Sequence, residues 1–302
     1  MSYSQRGRWI FHLLAFALSA ILALPAIADT LVLSQLSDRP KKDFKQLRPM
    51  AKYVASQLAP LGITRAEVRL FSDLDELVQA VKAGEVHWVT ETPYTASVLV
   101  QEAGAQPVAM KWKSRQKRYQ TLIYTHRDSN LRTLDDLVGK TIAFEHDNSF
   151  SSYYLPRLTL EQKGLALQEQ TALNSPKAPA QVNYLFSRNE KNNLLWVHKR
   201  LVEAGALNDG DWNNPGRVPD ALKSELRIIY RTKEYPRALE LVSPTLSPER
   251  ADALRSLLLS MTPRSHGKLL SRYEKTSGFE AITPEITGLL NGIYSSSRQW
   301  QQ

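Results

Sequence analysis

Three serines within four positions form the turn in this sequence whose side chains could most clearly take part in chemistry. Ser149, Ser151 and Ser152 follow the apolar run Thr141–Phe144, which is typical of a buried strand, and leucines at helical spacing come after them. The first N–H groups of a helix lack helical partners and the helix dipole favours negative charge, so such a turn can bind an anion. Serine is also an ordinary helix-capping residue. The turn is therefore either an oxyanion site or a plain helix start.

A second turn has the same arrangement of strand, polar residues and helix start. The predicted strand at residues 86–89 leads to Thr92, Pro93 and Tyr94, and proline is favoured at the first position of a helix. Strands alternate with helices along the chain, which predicts an α/β fold with mainly parallel sheets and residues 227–230 as the last strand. Ligands bind such sheets at the carboxyl ends of the strands. We therefore expect both turns to border one cleft, filled with neutral hydrogen-bond donors.

The first 28 residues have the features of an export signal. Arg6 and Arg8 precede an apolar stretch at residues 9–24, and Ala26 and Ala28 fit a cleavage site. A retained membrane anchor is the alternative, but the chain becomes polar directly after Ala28. We predict that the signal is cleaved and that the mature protein is periplasmic.

Composition excludes several other classes of protein. The formal net charge of +9 is compatible with an anionic ligand, but the basic residues are scattered apart from a brief cluster at residues 111–118, so nucleic acid is not an expected partner. The sequence has no cysteine, which excludes disulfides, thiolate metal sites, cysteine nucleophiles and a lipid-bearing cysteine. The length suits two lobes.

Catalytic and metal-binding motifs are missing from the sequence. The six histidines do not occur at metal-ligand spacing, and no G-x-S-x-G, dinucleotide-binding or P-loop motif occurs. His146 or Glu145 could act as a base in a periplasmic hydrolase or transferase, but no activated nucleophile accompanies them. We expect no cofactor, no metal ion and no enzymatic activity.

Several segments resemble a known family. They are residues 47–53, 86–97, 129–156 and 201–212, with residues 241–261 also similar. The chain resembles the PhnD-like proteins, periplasmic phosphate-, phosphite- and phosphonate-binding proteins of ABC importers that have the type II periplasmic-binding-protein fold. This resemblance implies two α/β lobes that close on a ligand in the cleft between them. It implies lobe 1 at residues 29–115 and 232–302 and lobe 2 at residues 116–231, with crossovers near residues 113–118 and between 212 and 234.

The resemblance also implies a set of ligand-binding residues that follow the strands. They are Thr92, Tyr94, Ser149, Ser151, Ser152, Tyr153, Asn189 and Asp209. The three serines match the turn that grips the phosphonate oxygens, and Tyr94 matches an aromatic position of lobe 1. Asp209 matches an acidic position that suits an amino group on the ligand. Tyr94 could equally be a core aromatic residue and Asp209 a turn former.

Some positions depart from the pattern of the family. Asn189 or Arg188 stands where a ligand-facing histidine is common, and Phe150 and Tyr153 stand where smaller residues are common. The resemblance therefore implies a monomeric solute-binding protein that captures a small oxyanion for an inner-membrane ABC permease. The alternative is the same fold used as a sensor that signals to a membrane kinase or cyclase.

Overall fold

The computed structural model describes residues 29–300, so the predicted signal peptide at residues 1–28 lies outside the described part of the chain. The strands are β1 (Asp29–Leu36), β2 (Ile63–Phe71), β3 (Trp88–Glu91), β4 (Gln106–Lys111), β5 (Arg118–Tyr119), β6 (Thr121–His126), β7 (Thr141–Phe144), β8 (Leu167–Glu169), β9 (Val182–Phe186), β10 (Ala204–Asn208), β11 (Leu226–Arg231), β12 (Tyr235–Pro236), β13 (Ala238–Val242) and β14 (Phe279–Glu280). The α-helices are α1 (Pro40–Gln57), α2 (Leu74–Lys82), α3 (Pro93–Ala103), α4 (Leu155–Gln162), α5 (Glu190–His198), α6 (Asp209–Trp212), α7 (Asp220–Ser224), α8 (Pro248–Ser260), α9 (Pro263–Arg272) and α10 (Pro284–Arg298). Within residues 29–300, no helix has the length and apolar character needed to cross a bilayer.

Two six-stranded sheets confirm the predicted α/β fold. The strand order is β14-β4-β13-β3-β1-β2 in the first sheet and β11-β6-β10-β7-β9-β8 in the second. Helices cover both faces of the first sheet. Successive side chains of a strand point to opposite faces, so the apolar residues of β1 contact helices on both sides. Leu31 and Leu33 of β1 pack with α1, α8 and α9, whereas Val32 packs with α2, α3 and α10. The second sheet also has one apolar cluster on each face.

The prediction of mainly parallel sheets is wrong, and so is that of residues 227–230 as the last strand. Half of the strand pairs in the two large sheets are antiparallel. The later strand β13 returns to the first sheet and lies antiparallel between β3 and β4. Its five residues are all buried, but Glu240 at its centre interrupts the apolar run by which a buried strand is recognised in a sequence.

The chain crosses between the two sheets at two places that lie side by side. It leaves the first sheet after Lys111 and returns to it at Ala238. Within these crossings, β5 and β12 form a two-stranded antiparallel ladder in which Tyr119 is paired with Tyr235. The ladder joins both connections into one element between the sheets.

A buried ionic network lies where the outgoing crossing leaves the first sheet. The Nζ atom of Lys111 lies 2.6 Å from Oε2 of Glu274 and 3.5 Å from Oε1 of Glu240, and the side chains of Lys111 and Glu240 have no exposed surface. Nζ of Lys113 donates to Oε1 of Glu274 at 2.6 Å. Burial alone would raise the pKa of Glu274, but the charges of Lys111 and Lys113 lower it below its ordinary value.

Neutral donors complete the network around Glu240. Its Oε2 accepts a hydrogen bond from Nε1 of Trp88 at 2.6 Å, and its Oε1 accepts bonds from the hydroxyls of Tyr273 at 2.9 Å and Thr90 at 3.0 Å. Burial raises the pKa of Glu240 despite these partners and the charge of Lys111. Every charge in this part of the core therefore has a partner, as a buried charge requires.

Removal of Lys111 should strongly destabilise the protein. The Lys111→Met variant keeps most of the side-chain volume but leaves Glu240 and Glu274 buried without their shared cation. We expect its free energy of unfolding in urea to fall by about 3 to 5 kcal/mol. Lys82→Met, at the exposed end of α2, is the matched control and should change the free energy of unfolding by less than about 0.5 kcal/mol. Similar values for both variants would show that the network adds nothing to stability.

Candidate ligand site

The turn before α3 and the serine-containing turn before α4 meet in the structure. The rings of Tyr94 and Tyr154, one from each turn, are stacked with their centroids 5.1 Å apart and their planes 25° apart. Phe150 stacks on the other side of this pair at 5.4 Å from Tyr154 and also touches Tyr235 of the returning crossing. The two turns identified in the sequence therefore lie at one place, beside the crossings.

The serine turn is wider than the α-helix start expected from the sequence. Ser149 caps it, with its Oγ accepting from the backbone N–H of Ser152 at 3.2 Å. Phe150–Tyr154 form a one-turn π-helix before α4 begins at Leu155. A single π turn of this kind often occurs at a functional site.

Two of the three serine hydroxyls donate to carboxylates. Oγ of Ser149 donates to Oε2 of Glu145 at 2.8 Å, and Oγ of Ser152 donates to Oε1 of Glu190 at 3.2 Å. The hydroxyl of the buried Ser151 forms no hydrogen bond with the part of the chain that the structure describes, while its carbonyl oxygen accepts from Oγ1 of Thr121 at 2.8 Å. Ser151 is thus the serine whose hydroxyl is free to meet a ligand.

The prediction of a cleft filled with neutral donors is wrong. A carboxylate follows the apolar part of each of four strands: Glu91 ends β3, Glu145 follows β7, Glu190 begins the helix after β9 and Asp211 follows β10. Asn208 links two of them, because its Nδ2 donates to Oε1 of Glu190 at 3.1 Å and to Oδ2 of Asp211 at 3.0 Å. The sequence reasoning considered Glu145 only as a catalytic base and missed the others as site residues. The acidic residue that recurs at the end of each of these four strands is the sequence signal that indicates the additional site residues.

Burial changes the protonation of these carboxyl groups. It raises the pKa of Glu91 to about 7, although the N–H groups of Leu36 and Thr92 donate to its two oxygens at 2.7 and 3.0 Å. Burial, with the charges of Glu145 and Asp211, raises the pKa of Glu190 well above its ordinary value. Burial would also raise the pKa of Asp211, but the hydrogen bond from Glu190 lowers it. Glu190 therefore holds the proton of this pair and Asp211 carries the charge.

Of the remaining predicted residues, Tyr153, Asn189 and Asp209 have local structural partners. The side chain of Thr92 does not cap α3. The ring of Tyr153 packs in the core against Phe144 and Phe186, and its hydroxyl accepts from Arg157 at 2.5 Å. Asn189 and Arg188 are the two alternatives for the position where a histidine is common in the family.

Asn189 and Asp209 contact the backbone of neighbouring elements. Oδ1 of Asn189 accepts from the N–H of Asn192 at 2.9 Å and so caps α5, while Arg188 beside it is exposed. Oδ1 of Asp209 accepts from Nε2 of Gln116 at 3.1 Å and from the N–H of Gln120 at 3.2 Å. Asp209 therefore binds the second sheet to the outgoing crossing.

The raised pKa of Glu91 should give the protein a pH-dependent stability. Because the folded state holds this proton more tightly than the unfolded chain, the stabilisation is present below the ordinary pKa of glutamate and is lost as the pH rises through about 7. Between about pH 8 and about pH 5, the free energy of unfolding of the wild type should rise by about 2 kcal/mol more than that of Glu91→Gln. Urea unfolding at both pH values measures this difference. The exposed Glu85→Gln is the control, and equal pH dependence in wild type and Glu91→Gln would contradict the raised pKa.

Comparison with known proteins assigns this chain to a protein family. Residues 35–286 match the family model described as the periplasmic substrate-binding protein of a phosphonate ABC transporter. The structure of XAC2383 from Xanthomonas citri bound to chloride ion is 31% identical, with a TM-score of 0.85, and the match covers 89% of this chain and 98% of that one. The same protein bound to ATP gives 30% identity and a TM-score of 0.84, over 89% and 97% of the two chains.

More distant structures share the fold. PhnD1 from Prochlorococcus marinus in complex with methylphosphonate is 16% identical, with a TM-score of 0.66 over 89% of this chain and 98% of that one. Members of the matched family are periplasmic, bind small ligands, are not enzymes and work with an ABC permease. The chain belongs to this family of periplasmic substrate-binding proteins of phosphonate ABC transporters, and it binds a solute for an ABC importer.

Proposed function

We propose that the solute is a small phosphorus oxyanion of the phosphate, phosphite or phosphonate class, held in a cleft between two lobes. The observation that carries this proposal is the meeting of the two turns, one from each sheet, at the stacked rings of Tyr94 and Tyr154. Each turn begins a helix, and the unpaired N–H groups and the dipole of a helix start favour an anion. The methylphosphonate in the structure of PhnD1 and the chloride in that of XAC2383 support an anionic ligand.

The carboxyl groups limit which oxyanions fit. A fully deprotonated oxyanion offers only acceptors and is repelled by a charged carboxylate, whereas a protonated carboxyl can donate to it. Glu190 in its protonated form therefore adds no charge beside Ser152, and its single proton is donated to Asp211. The charged Asp211 in turn suits a ligand that carries a hydroxyl or an amino group. A small monoprotonated or amino-substituted phosphorus oxyanion carries such a donor for Asp211.

The other predicted residues and the division into lobes belong to the same proposal. We assign lobe 1 to residues 29–115 and 232–302 and lobe 2 to residues 116–231, with the β5–β12 ladder as the hinge. Thr92, Tyr94, Tyr153, Asn189 and Asp209 form or support the walls of the cleft. We further propose a monomer that is exported by cleavage of residues 1–28, is not lipidated and delivers the ligand to an inner-membrane permease. A sensor role has no comparable support, because the matched family is one of transport proteins.

A ligand of the proposed class should stabilise the mature protein. Phosphate, phosphite, methylphosphonate and an aminoalkylphosphonate, each at saturating concentration, are expected to raise the melting temperature, because a ligand that binds only the folded state stabilises it by mass action. Sulfate and a sulfonate are the control anions and should produce a smaller shift. The compound should be recovered unchanged after incubation. No shift with any phosphorus oxyanion, or turnover of one of them, would contradict the proposal.

The serine turn should supply a measurable part of the affinity. We expect the Ser151→Ala, Ser152→Ala double variant to bind the ligand found in that screen more weakly by about 2 to 4 kcal/mol, since the free hydroxyl donor of Ser151 is lost and Glu190 loses the hydrogen bond from Ser152. Isothermal titration measures the affinity. The exposed Ser260→Ala is the control and should bind as the wild type does. Unchanged affinity in the double variant would show that the serine turn only caps a helix and does not bind the ligand.

A further inference from the structure

Two helices pack side by side on one face of the first sheet. Helices α1 and α9 lie against each other, and Oη of Tyr53 is 2.8 Å from Nε2 of His266, with the two rings 5.3 Å apart. Their apolar sides enter the same core through Leu47 and Leu270. Their outer sides together form a continuous surface, which we call the basic face.

The basic face carries eight exposed cations and no exposed acid. The cations are Lys41, Lys42, Lys45, Arg48, Lys52, Arg264, Lys268 and Arg272. Asp43 is the single acidic residue of these two helices, and it is buried, with its Oδ2 accepting from Oγ of Ser37 at 2.6 Å. Among residues 29–300, no acidic side chain forms an ion pair with any of the eight.

The spacing of the cations concentrates charge along two stripes. Lys41, Lys45, Arg48 and Lys52 recur every three or four positions of α1, and Lys268 and Arg272 lie four positions apart in the part of α9 that follows the non-helical backbone of His266. Residues at these spacings are neighbours on a helix, where like charges destabilise it. The arrangement therefore works against folding stability, and an external anionic partner would remove the repulsion.

One apolar feature lies within the basic face. The side chain of Phe44 is 39% exposed, with the guanidinium of Arg48 over its ring at 5.8 Å. Phe44 borders a cavity of about 450 Å³ that is also lined by Val68 and Leu70 of the edge strand β2 and by the side chains of Lys41 and Lys45. An aromatic ring among exposed cations is typical of a surface that lies at the headgroup level of a bilayer.

We propose that the basic face binds the anionic surface of a membrane. The charge is distributed along a helix of 18 residues, about 27 Å long, and its neighbour, which fits the distributed phosphates of a lipid surface better than a single acidic side chain of a protein. Lysine and arginine near an anionic leaflet are each attracted to it, and the attraction is additive over a cluster. Such binding would hold the protein at the membrane in which the permease of its family lies, independently of which solute it carries.

Vesicle binding by the mature full-length protein tests this proposal. Wild-type protein should sediment with vesicles of equal parts phosphatidylglycerol and phosphatidylcholine, but not with phosphatidylcholine alone, and molar salt should release it because the attraction is screened. The triple variant Lys45→Gln, Lys52→Gln, Lys268→Gln should bind the anionic vesicles at least about tenfold more weakly. Its melting temperature should equal that of the wild type, because all three side chains are exposed.

A second triple variant separates the basic face from net charge alone. Lys82→Gln, Lys140→Gln, Lys199→Gln removes the same charge from exposed positions elsewhere and should bind the anionic vesicles as the wild type does. Equal loss in both triple variants, or no binding by the wild type, would overturn the proposal. Binding of the wild type to a membrane only when its permease is present would overturn it in favour of a protein partner. Because the solute is not part of the assay, these outcomes do not depend on the proposed oxyanion.

Discussion

The need to pair the charge of Lys111 in the core determines much of the architecture. Its Nζ lies between Glu240 of the returning strand β13 and Glu274 after α9, at the point where the chain leaves the first sheet. A buried charge is tolerated only with partners, so strand β13, the segment after α9 and the outgoing crossing must assemble together. Lys113 extends the network into the crossing itself through Glu274. The outgoing crossing is thereby anchored in the core of one sheet.

The same physical constraint has a different outcome in the candidate site. There the carboxyl groups of Glu91 and Glu190 have few cationic partners, and burial raises their pKa values instead. The site consequently combines charged and protonated carboxyl groups with the serine hydroxyls. For the proposed oxyanion ligand, such a mixture would recognise protons as well as charge, which gives a physical reason for selectivity among oxyanions of similar size.

Much of the fold and part of the site could be predicted from the sequence. The alternating pattern predicted the α/β class, and the turns at Tyr94 and at the serines were recognised by their position after apolar runs. Strand β13 was missed because Glu240 interrupts it, and the partner that makes this residue tolerable, Lys111, is more than a hundred positions away. The hydrogen bonds from Ser149 to Glu145 and from Ser152 to Glu190 could not be read from spacing either. Side-chain partners depend on which loops the topology brings together.

The sequence by itself determined the class of fold, the family and the absence of cysteine chemistry, because these depend on local periodicity, short motifs and composition. Only the tertiary structure decided where the charges lie. Basic residues that look scattered along the chain are gathered on α1 and α9, since helices distant in sequence pack side by side. Acidic residues that follow β7, β9 and β10 converge beside the serine turn, since the ends of these strands meet at one edge of the second sheet. The local charge of a surface or site depends on which residues lie close together in space, and the linear order of residues does not show this.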